Sequence, residues 1–139
     1  MIILAVDYGD ARTGIAICDK TEMLASPVTV IKEGYYKKVA LKVAEIAKEK
    51  NAELVVVGCP VNMDGSFGGR AQKCTEFADF LASEYNLKVT TWDERMTTIE
   101  AHRALNDTNT RGKKRKDVVD AVAATIILDD YLRYRKNCK

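Results

Sequence analysis

Three acidic residues of the chain occupy positions where a carboxylate is hard to accommodate. Asp7 follows an unbroken apolar run, Glu94 follows a predicted strand, and Asp120 lies among valines and alanines on one predicted helical face. A carboxylate that is buried without a partner costs on the order of several kcal/mol. Each of the three acids therefore needs a compensating cation or hydrogen-bond donor.

These acids could form one metal site if the fold brings them together. Converging carboxylates repel one another unless a divalent cation binds between them. Carboxylate oxygens are hard ligands of the kind that suit Mg²⁺ or Mn²⁺. The residue types therefore predict a divalent-metal site formed by Asp7, Glu94 and Asp120.

Each acid also has a structural interpretation. Asp7 could accept a hydrogen bond within the turn that follows it. Asp93 and Glu94 would point to opposite faces of a strand, so only one could join the site, and alternation alone does not choose between them. Asp117 is predicted to be the N-cap of the last helix, where Asp120 would gain from the helix dipole.

Apolar periodicity predicts the strands that must position these acids. Ile2–Val6 and Thr13–Cys18 are apolar runs separated by turn residues, which is typical of a hairpin. Further strands are predicted at Pro27–Ile31, Leu54–Gly58 and Leu87–Trp92.

Four helices are predicted between and after these strands from apolar residues at helical spacing. The first begins at Tyr36, the second follows a glycine-containing loop from Cys59 to Arg70, the third begins near Thr97, and the last follows a basic loop, Thr110–Lys116. The order β-β-β-α-β-α-β-α-α predicts an α/β, ribonuclease H-like fold with a five-stranded mixed sheet flanked by helices. In that fold strands one and five run parallel and end at the same edge.

Positive charge is concentrated at the end of the chain. Residues 111–139 hold nine Lys or Arg and four Asp or Glu, a local charge of +5, whereas the first 110 residues carry −3. Five of these positive charges lie between Arg111 and Lys116. This asymmetry indicates a polyanionic partner. The glycines at 65, 68 and 69 before Arg70 could wrap a phosphate, although the G-K-[ST] ending of a P-loop is missing.

Composition excludes several classes of protein. The 139 residues are predicted to form one domain, and no apolar run approaches the roughly 18 residues of a membrane span. The four cysteines form no C-x-x-C pair, which favours reduced structural thiols in the cytoplasm over a zinc site or disulfides. His102 is the only histidine and is interpreted as a surface or packing residue, since no Ser or Cys nucleophile accompanies it.

Four motifs in order closely resemble the YqgF/RuvX family of Holliday-junction-resolvase-like proteins, which are assigned to ribosomal RNA precursor processing. The opening motif, D-Y-G-D-A-R-T-G-I-A, begins at Asp7, and G-C-P-V-N-M-D-G begins at Gly58. The third, D-E-R-M-T-T, begins at Asp93. The last combines the basic run Lys113–Lys116 with D-A-V-A-A-T-I-I-L from Asp120. Together they cover nearly the whole chain.

The resemblance implies a ribonuclease H-like nuclease that processes precursor 16S rRNA with Mg²⁺ or Mn²⁺, two ions being expected. It carries the family's acidic triad onto Asp7, Glu94 and Asp120, and so selects Glu94 over Asp93. Asp117 is a departure, because a glycine is usual there. The expected partner is nucleic acid, and no membrane is expected to be involved. The protein is expected to be a monomer or weak homodimer in the cytoplasm. Phosphates would be held by Arg12, Arg70, Arg95, Lys113, Lys114, Arg115 and Lys116.

Other functions remain open at this point. A Holliday junction resolvase would act on branched DNA through a two-fold dimer, and a nucleic-acid- or ribosome-binding module would not cleave at all. The turn after Asp7 is also similar to that of actin-like ATPases and sugar kinases. Those proteins need a second domain to close over the nucleotide, which 139 residues are not expected to supply.

Overall fold

The architecture was determined as a computed structural model that describes residues 1–9, 11–59, 69–93 and 112–137, with the backbone alone at 69–71, 93, 112–121 and 137. Strands and helices alternate after an initial three-stranded meander. The strands are β1 (Ile3–Asp7), β2 (Thr13–Cys18), β3 (Ala25–Ile31), β4 (Leu54–Cys59) and β5 (Val89–Asp93). The helices are α1 (Tyr36–Glu49), α2 (Gly69–Tyr85) and α3 (Gly112–Asn137).

The strands form one mixed sheet in the order β3-β2-β1-β4-β5. β1, β2 and β3 are joined as antiparallel neighbours, whereas β4 pairs in parallel with both β1 and β5. β1 and β5 therefore run parallel to each other and end at the same edge of the sheet. The predicted five-stranded mixed sheet is confirmed.

Helices cover the sheet on both faces, and each face has its own core. α1 and α2 pack on one face, against alternate residues of β1 and β4 such as Val6 and Val57. α3 packs on the other, against Ala5 and Val56. Because β1 is covered on both sides, Ile3 through Val6 are all 0% exposed, which explains why this strand is apolar at every position.

Local signals place the ends of several elements. Pro27 lies in β3, an edge strand, where its missing N–H does not interrupt a central ladder. Asn51 and Asn86 follow α1 and α2 with φ of 58° and 53°, the left-handed conformation that asparagine adopts readily after a helix.

Three predictions about the helices need correction. The basic segment Lys113–Lys116 is helical and not a loop, because α3 begins at Gly112. Lysine and arginine are good helix formers, so a run of charge does not by itself end a helix. Asp117 is consequently inside the helix and cannot be its N-cap. Arg70 likewise belongs to α2 and not to the preceding loop. The helix predicted near Thr97, with His102, lies outside the described residues.

Cys18, Cys59 and Cys74 are buried, as expected for structural thiols. Burial raises the pKa of the Cys18 thiol, whose sulfur accepts a hydrogen bond from the backbone N–H of Ile3 at 3.3 Å. Cys138 lies outside the described residues. Within the described part of the chain, no helix has the length and apolar character needed to cross a membrane.

A polar cluster fixes the C-terminal part of α3 to the β2–β3 turn. The Arg135 guanidinium donates to the Glu22 carboxylate through Nε at 2.8 Å, and the α-amino group of Met1 lies 3.3 Å from the same carboxylate. Both side chains of the Arg135–Glu22 pair are three-quarters buried or more. The hydrogen bond from Arg135 is the main reason that the pKa of Glu22 is lowered.

We predict that Glu22→Gln lowers the free energy of unfolding by about 1–2 kcal/mol at pH 7, because it removes a charge-assisted, partly buried hydrogen bond. The pKa of Glu22 is lower in the folded protein than in the unfolded chain, where it is about 4.3, so the charged carboxylate stabilises the fold above that pH. This stabilisation is lost as the pH falls through the folded-state pKa. The difference between wild type and variant should therefore be constant from pH 7 to 5 and shrink below about pH 4. Urea unfolding measures both.

Glu49→Gln, which changes an exposed glutamate at the end of α1, is the charge-matched control. If the two variants were equally stable at pH 7, the Glu22–Arg135 pair would not hold α3 in place.

Candidate metal and nucleic-acid site

Asp7 is the last residue of β1, at the carboxyl edge of the sheet. Side chains alternate along a strand, so Asp7 shares a face with Ile3 and Ala5, which pack beneath α3. The side chain is partly buried. The fold thus delivers one carboxylate to the end of the central strand, on the face covered by α3.

Glycines flank Asp7 within the sheet. Gly14 of β2 is its direct partner in the antiparallel ladder. On the other side Val6 pairs with Val57, so the next position of that register is Gly58, which itself pairs with Trp92 of β5. Because neither glycine has a Cβ, the space on both sides of the carboxylate within this row is free of neighbouring strand side chains.

The glycine cradle, which is the space beside Asp7 between Gly14 and Gly58, suits a hydrated divalent cation. Mg²⁺ retains several of its waters and is bound through one or two carboxylates, so it needs room beside the oxygen ligand. A Cβ at position 14 or 58 would fill that room. Sequence reasoning missed both glycines as site residues. The signal that could have found them is a glycine inside an otherwise apolar strand, which marks a close approach to a ligand or backbone.

The alternation of β5 separates its residues between the two faces. Trp92 packs with Ala124, Ile127 and Leu128 of α3, on the face that carries Asp7. Its neighbour Asp93 pairs with Cys59, whose sulfur lies 3.9 Å from the Thr75 hydroxyl on α2. Position 93 of the backbone therefore belongs to the opposite face of the sheet from Asp7.

α3 lies across the face of Asp7 and Trp92. Its buried residues include Ala124, Ile127 and Leu128, which are 0–1% exposed. Position 120 is one helical turn before Ala124, toward the N-terminal end of the helix. Position 120 therefore lies on the helix face that carries Ala124.

The turn after Asp7 is closed by a hydrogen bond from the Gly9 N–H to the Thr13 hydroxyl at 3.4 Å. Thr13 is fully buried. Arg12 precedes it and is partly buried in the same turn. The hairpin thus holds a cationic residue close in sequence to the Asp7 carboxylate.

The predicted site residues fall into three groups. Asp7 and Arg12 are described with their side chains, both at the β1–β2 end of the site. Arg70, Asp120 and the basic run 113–116 are placed by backbone alone, on α2 and α3. Glu94 and Arg95 lie outside the described residues. Among the side chains that are described, no group of three or more His, Cys, Asp or Glu is arranged to hold a metal ion.

Comparison with known proteins identifies relatives over the full fold. Residues 1–134 match the family described as "RuvX: Holliday junction resolvase". A protein of Halothermothrix orenii named "Putative pre-16S rRNA nuclease" is 43% identical over 135 residues, covering 97% of this chain and 96% of the relative. A protein of the same name from Caldanaerobacter subterraneus is 40% identical over 139 residues, covering 99% of each.

Solved structures confirm the fold. Thermus thermophilus RuvC in complex with a Holliday junction substrate superimposes with a TM-score of 0.62 at 14% identity, covering 97% of this chain and 96% of RuvC. The fowlpox virus Holliday junction resolvase gives a TM-score of 0.52 at 18% identity, covering 96% and 99%. The five-stranded sheet with its helices is thus the ribonuclease H-like fold of RuvC-type resolvases.

We predict that Gly58→Val weakens Mn²⁺ binding by about tenfold or more, because its branched side chain fills the space beside Asp7. Valine favours extended structure, so the strand should not be weakened by local propensity. Isothermal titration calorimetry with Mn²⁺ measures the effect. Thr91→Val, which replaces a hydroxyl with a methyl group at an exposed position on the opposite face of β5, is the control.

Thr91→Val should bind Mn²⁺ as the wild type does. If Gly58→Val also bound Mn²⁺ with wild-type affinity while unfolding at the same temperature, the cradle would not be the metal site.

Proposed function

This chain belongs to the RuvX family of Holliday junction resolvases, and we propose that it is a nuclease that hydrolyses phosphodiester bonds in precursor 16S rRNA. The observation that carries the proposal is the Asp7 carboxylate, held between two glycines at the carboxyl edge of a RuvC-type sheet. The names of the relatives support RNA as the substrate, and the whole of residues 1–139 is proposed to act as one domain.

We assign Asp7, Glu94 and Asp120 as the metal ligands. Trp92 shares a face with Asp7, so an extended residue two positions later returns to that face, which supports Glu94 over Asp93. Position 120 is four residues before Ala124, which packs on the same face of the sheet. Strand alternation and helical period therefore favour the same three acids.

The proposed cofactor is Mg²⁺ or Mn²⁺, with two ions bound. Such ions supply activation of the attacking water and stabilisation of the leaving 3′-oxygen. Of the three proposed ligands, Asp7 is held at the end of β1, a strand that is buried on both faces. Trp92, which shares the face of Asp7, is buried against Ala124 of α3.

Cationic residues are proposed to hold the phosphates of the substrate. Arg12 lies in the turn after Asp7, and Arg70 lies in the first turn of α2. Such contacts position a strand without reading its sequence. With them we group Arg95, Lys113, Lys114, Arg115 and Lys116.

The basic run has a definite geometry once it is helical. Successive positions of an α-helix are rotated by about 100°, so positions 113 and 116 share a face with position 120, whereas 114 and 115 do not. We propose that Lys113 and Lys116 contact the substrate strand near the metal site. Lys114 and Arg115 then contribute a longer-range attraction.

We propose the cytoplasm as the compartment, because the cysteine spacing favours reduced structural thiols over a disulfide framework. A monomer or weak homodimer is sufficient for cleavage of RNA.

Branched DNA is the second candidate substrate. The family description and the Holliday junction substrate in the Thermus thermophilus RuvC structure favour it. Resolution of a junction requires two sites in a two-fold dimer. The test measures metal-dependent cleavage of precursor rRNA, single-stranded RNA and four-way DNA junctions side by side. The substrate that is cleaved fastest identifies the function. A protein that binds all three without cleaving any would be a binding module.

We predict that Asp7→Asn lowers the rate of metal-dependent cleavage by at least about 10²-fold, equivalent to about 3 kcal/mol of transition-state stabilisation. The substitution preserves shape but removes the charge that binds the cation. Nucleic-acid affinity without metal should be retained or improved, because a repulsive charge is lost. Single-turnover cleavage and metal-free binding measure the two effects.

Asp79→Asn makes the same change at an exposed position of α2 and serves as the control. Wild-type cleavage by Asp7→Asn, after removal of contaminating nuclease, would refute the assignment of Asp7.

We predict that the double variant Lys113→Gln and Lys116→Gln flattens the dependence of log affinity on log salt by about 1.4. Each phosphate neutralised on a single strand contributes about 0.7 to that slope. The loss should be similar for different sequences, because phosphate contacts carry no base information. Fluorescence anisotropy with single-stranded RNA at several salt concentrations measures the slope.

The double variant Lys114→Gln and Arg115→Gln removes the same charge from the other side of the helix and should change the slope less. Equal slopes for the two double variants would show that the helical face does not matter.

A further inference from the structure

An open pocket lies on the face of the sheet covered by α1 and α2, away from α3. Its volume is about 510 Å³, within the range of roughly 300–1,000 Å³ that is common for small-molecule sites. Most of its lining is aromatic, and the catalytic assignment above uses none of it. The residues that matter to the argument are Tyr8, Tyr35, Tyr36, Lys73, Phe77 and Phe80.

The aromatic rings form a buried floor and an open rim. Tyr8 and Phe77 are stacked with centroids 4.2 Å apart, and both are at least nine-tenths buried. Tyr36 contacts Tyr35 and Phe80 edge-to-face, at 5.5 and 5.2 Å. Tyr35 and Tyr36 remain 49% and 40% exposed, so the rim presents aromatic surface to solvent.

The charges around the rim favour an anionic chain on the side of α1. Lys37 and Lys38 are exposed next to Tyr36, and the first turn of α1 contains no acid. The Glu33 carboxylate accepts hydrogen bonds from the backbone N–H groups of Tyr35 and Gly34, at 3.2 and 2.8 Å, which lowers its pKa. It also forms an ion pair with the exposed Lys38 at 3.9 Å, so a phosphate would share Lys38 with Glu33.

The α2 side of the pocket carries both signs of charge. Lys73 and Glu76 are exposed there, and the Glu76 carboxylate accepts a hydrogen bond from Gln72 at 3.3 Å. A phosphate chain would therefore pass along the α1 side, beside the lysines, and leave the aromatic interior to an uncharged group.

The pocket and the proposed metal site lie on opposite faces of the sheet, both at the end of β1. Tyr8 directly follows Asp7, and consecutive Cα atoms are about 3.8 Å apart. Tyr8 packs with the α1 and α2 face, whereas Asp7 alternates onto the α3 face. The end of β1 therefore separates an aromatic pocket from the carboxylate by one residue.

We propose that this pocket binds an unpaired nucleobase of the strand whose backbone lies at Asp7. Exposed aromatic rings next to lysines are the usual platform for single-stranded nucleic acid, because every base offers a face for stacking. A base held in a duplex could not reach the rings. The inference rests on the proposed nuclease function and specifies its substrate as nucleic acid that is single-stranded beside the cleaved bond.

The test compares binding of three fluorescein-labelled probes of equal length in EDTA, where no cleavage occurs. They are a single-stranded RNA, the same strand with consecutive abasic sites, and the RNA duplex. Wild type should bind the base-bearing strand at least about fivefold more tightly than the abasic strand, which corresponds to about 1 kcal/mol from stacking of one base. The double variant Tyr35→Leu and Tyr36→Leu should lose that preference and bind the abasic strand as wild type does.

Tyr134→Leu is the matched control, because Tyr134 is also 49% exposed but lies on α3, where it contacts Trp92. It should keep the wild-type preference. Tyr35→Leu alone changes a ring that contacts only Tyr36 among the described aromatic residues, and it should lose part of the preference if the double variant proves unstable.

Equal binding of base-bearing and abasic strands by wild type would overturn the proposal. So would an unchanged preference in folded tyrosine variants, the result expected if the pocket accepts a protein segment. The measurement is independent of cleavage. An Asp7→Asn variant with normal cleavage would refute the metal-site assignment, while the base preference would still be read from binding alone.

Discussion

The parallel pairing of β1 with β4 is the interaction on which the rest of the structure depends. It joins two strands that are buried on both faces, and its register places Val6 beside Val57. That register sets Gly58 next to Asp7. The pairing of β4 with β5 then sets Gly58 next to Trp92 on its other side. A slip of one residue would move every side chain of β1 to the opposite face, and the carboxylate would point toward α1 and α2. Burial of the apolar set on both faces prevents that slip.

The end of β1 contributes a different kind of residue to each face of the sheet. On the face of α3, β1 ends in an acid with glycines beside it, an arrangement suited to a cation. On the face of α1 and α2, the next residue, Tyr8, joins an aromatic pocket. Strand alternation therefore separates the proposed metal site from the proposed base pocket by a single peptide unit. A substrate that uses both must pass around the end of β1, which requires a flexible, unpaired strand.

Helix α3 connects the site to the far edge of the sheet. Its 26 residues extend about 39 Å, long enough to cross the sheet. The C-terminal part is fixed by Arg135 and Glu22, and the middle by burial of Ala124 and Ile127. Because a helix is stiff, fixing these two parts also sets the direction of its N-terminal basic end. The direction of this end therefore depends on contacts made several turns away.

The sequence by itself determined the five strands and their order, and it predicted Asp7, Glu94 and Asp120 as the site acids, because apolar periodicity and the four motifs are local properties of the chain. The sheet, α1 and the existence of α2 were predicted from that periodicity and are confirmed. The start of α3 was not, since lysines and arginines suit a helix and a loop equally well until packing decides. Only tertiary structure showed that Gly14 and Gly58 flank Asp7, because pairing register joins residues distant in sequence. The tertiary structure likewise showed that Val89 of β5 packs on the face of α1 and α2, whereas Trp92 packs on the face of α3. That distinction depends on helices packed on both sides of the sheet.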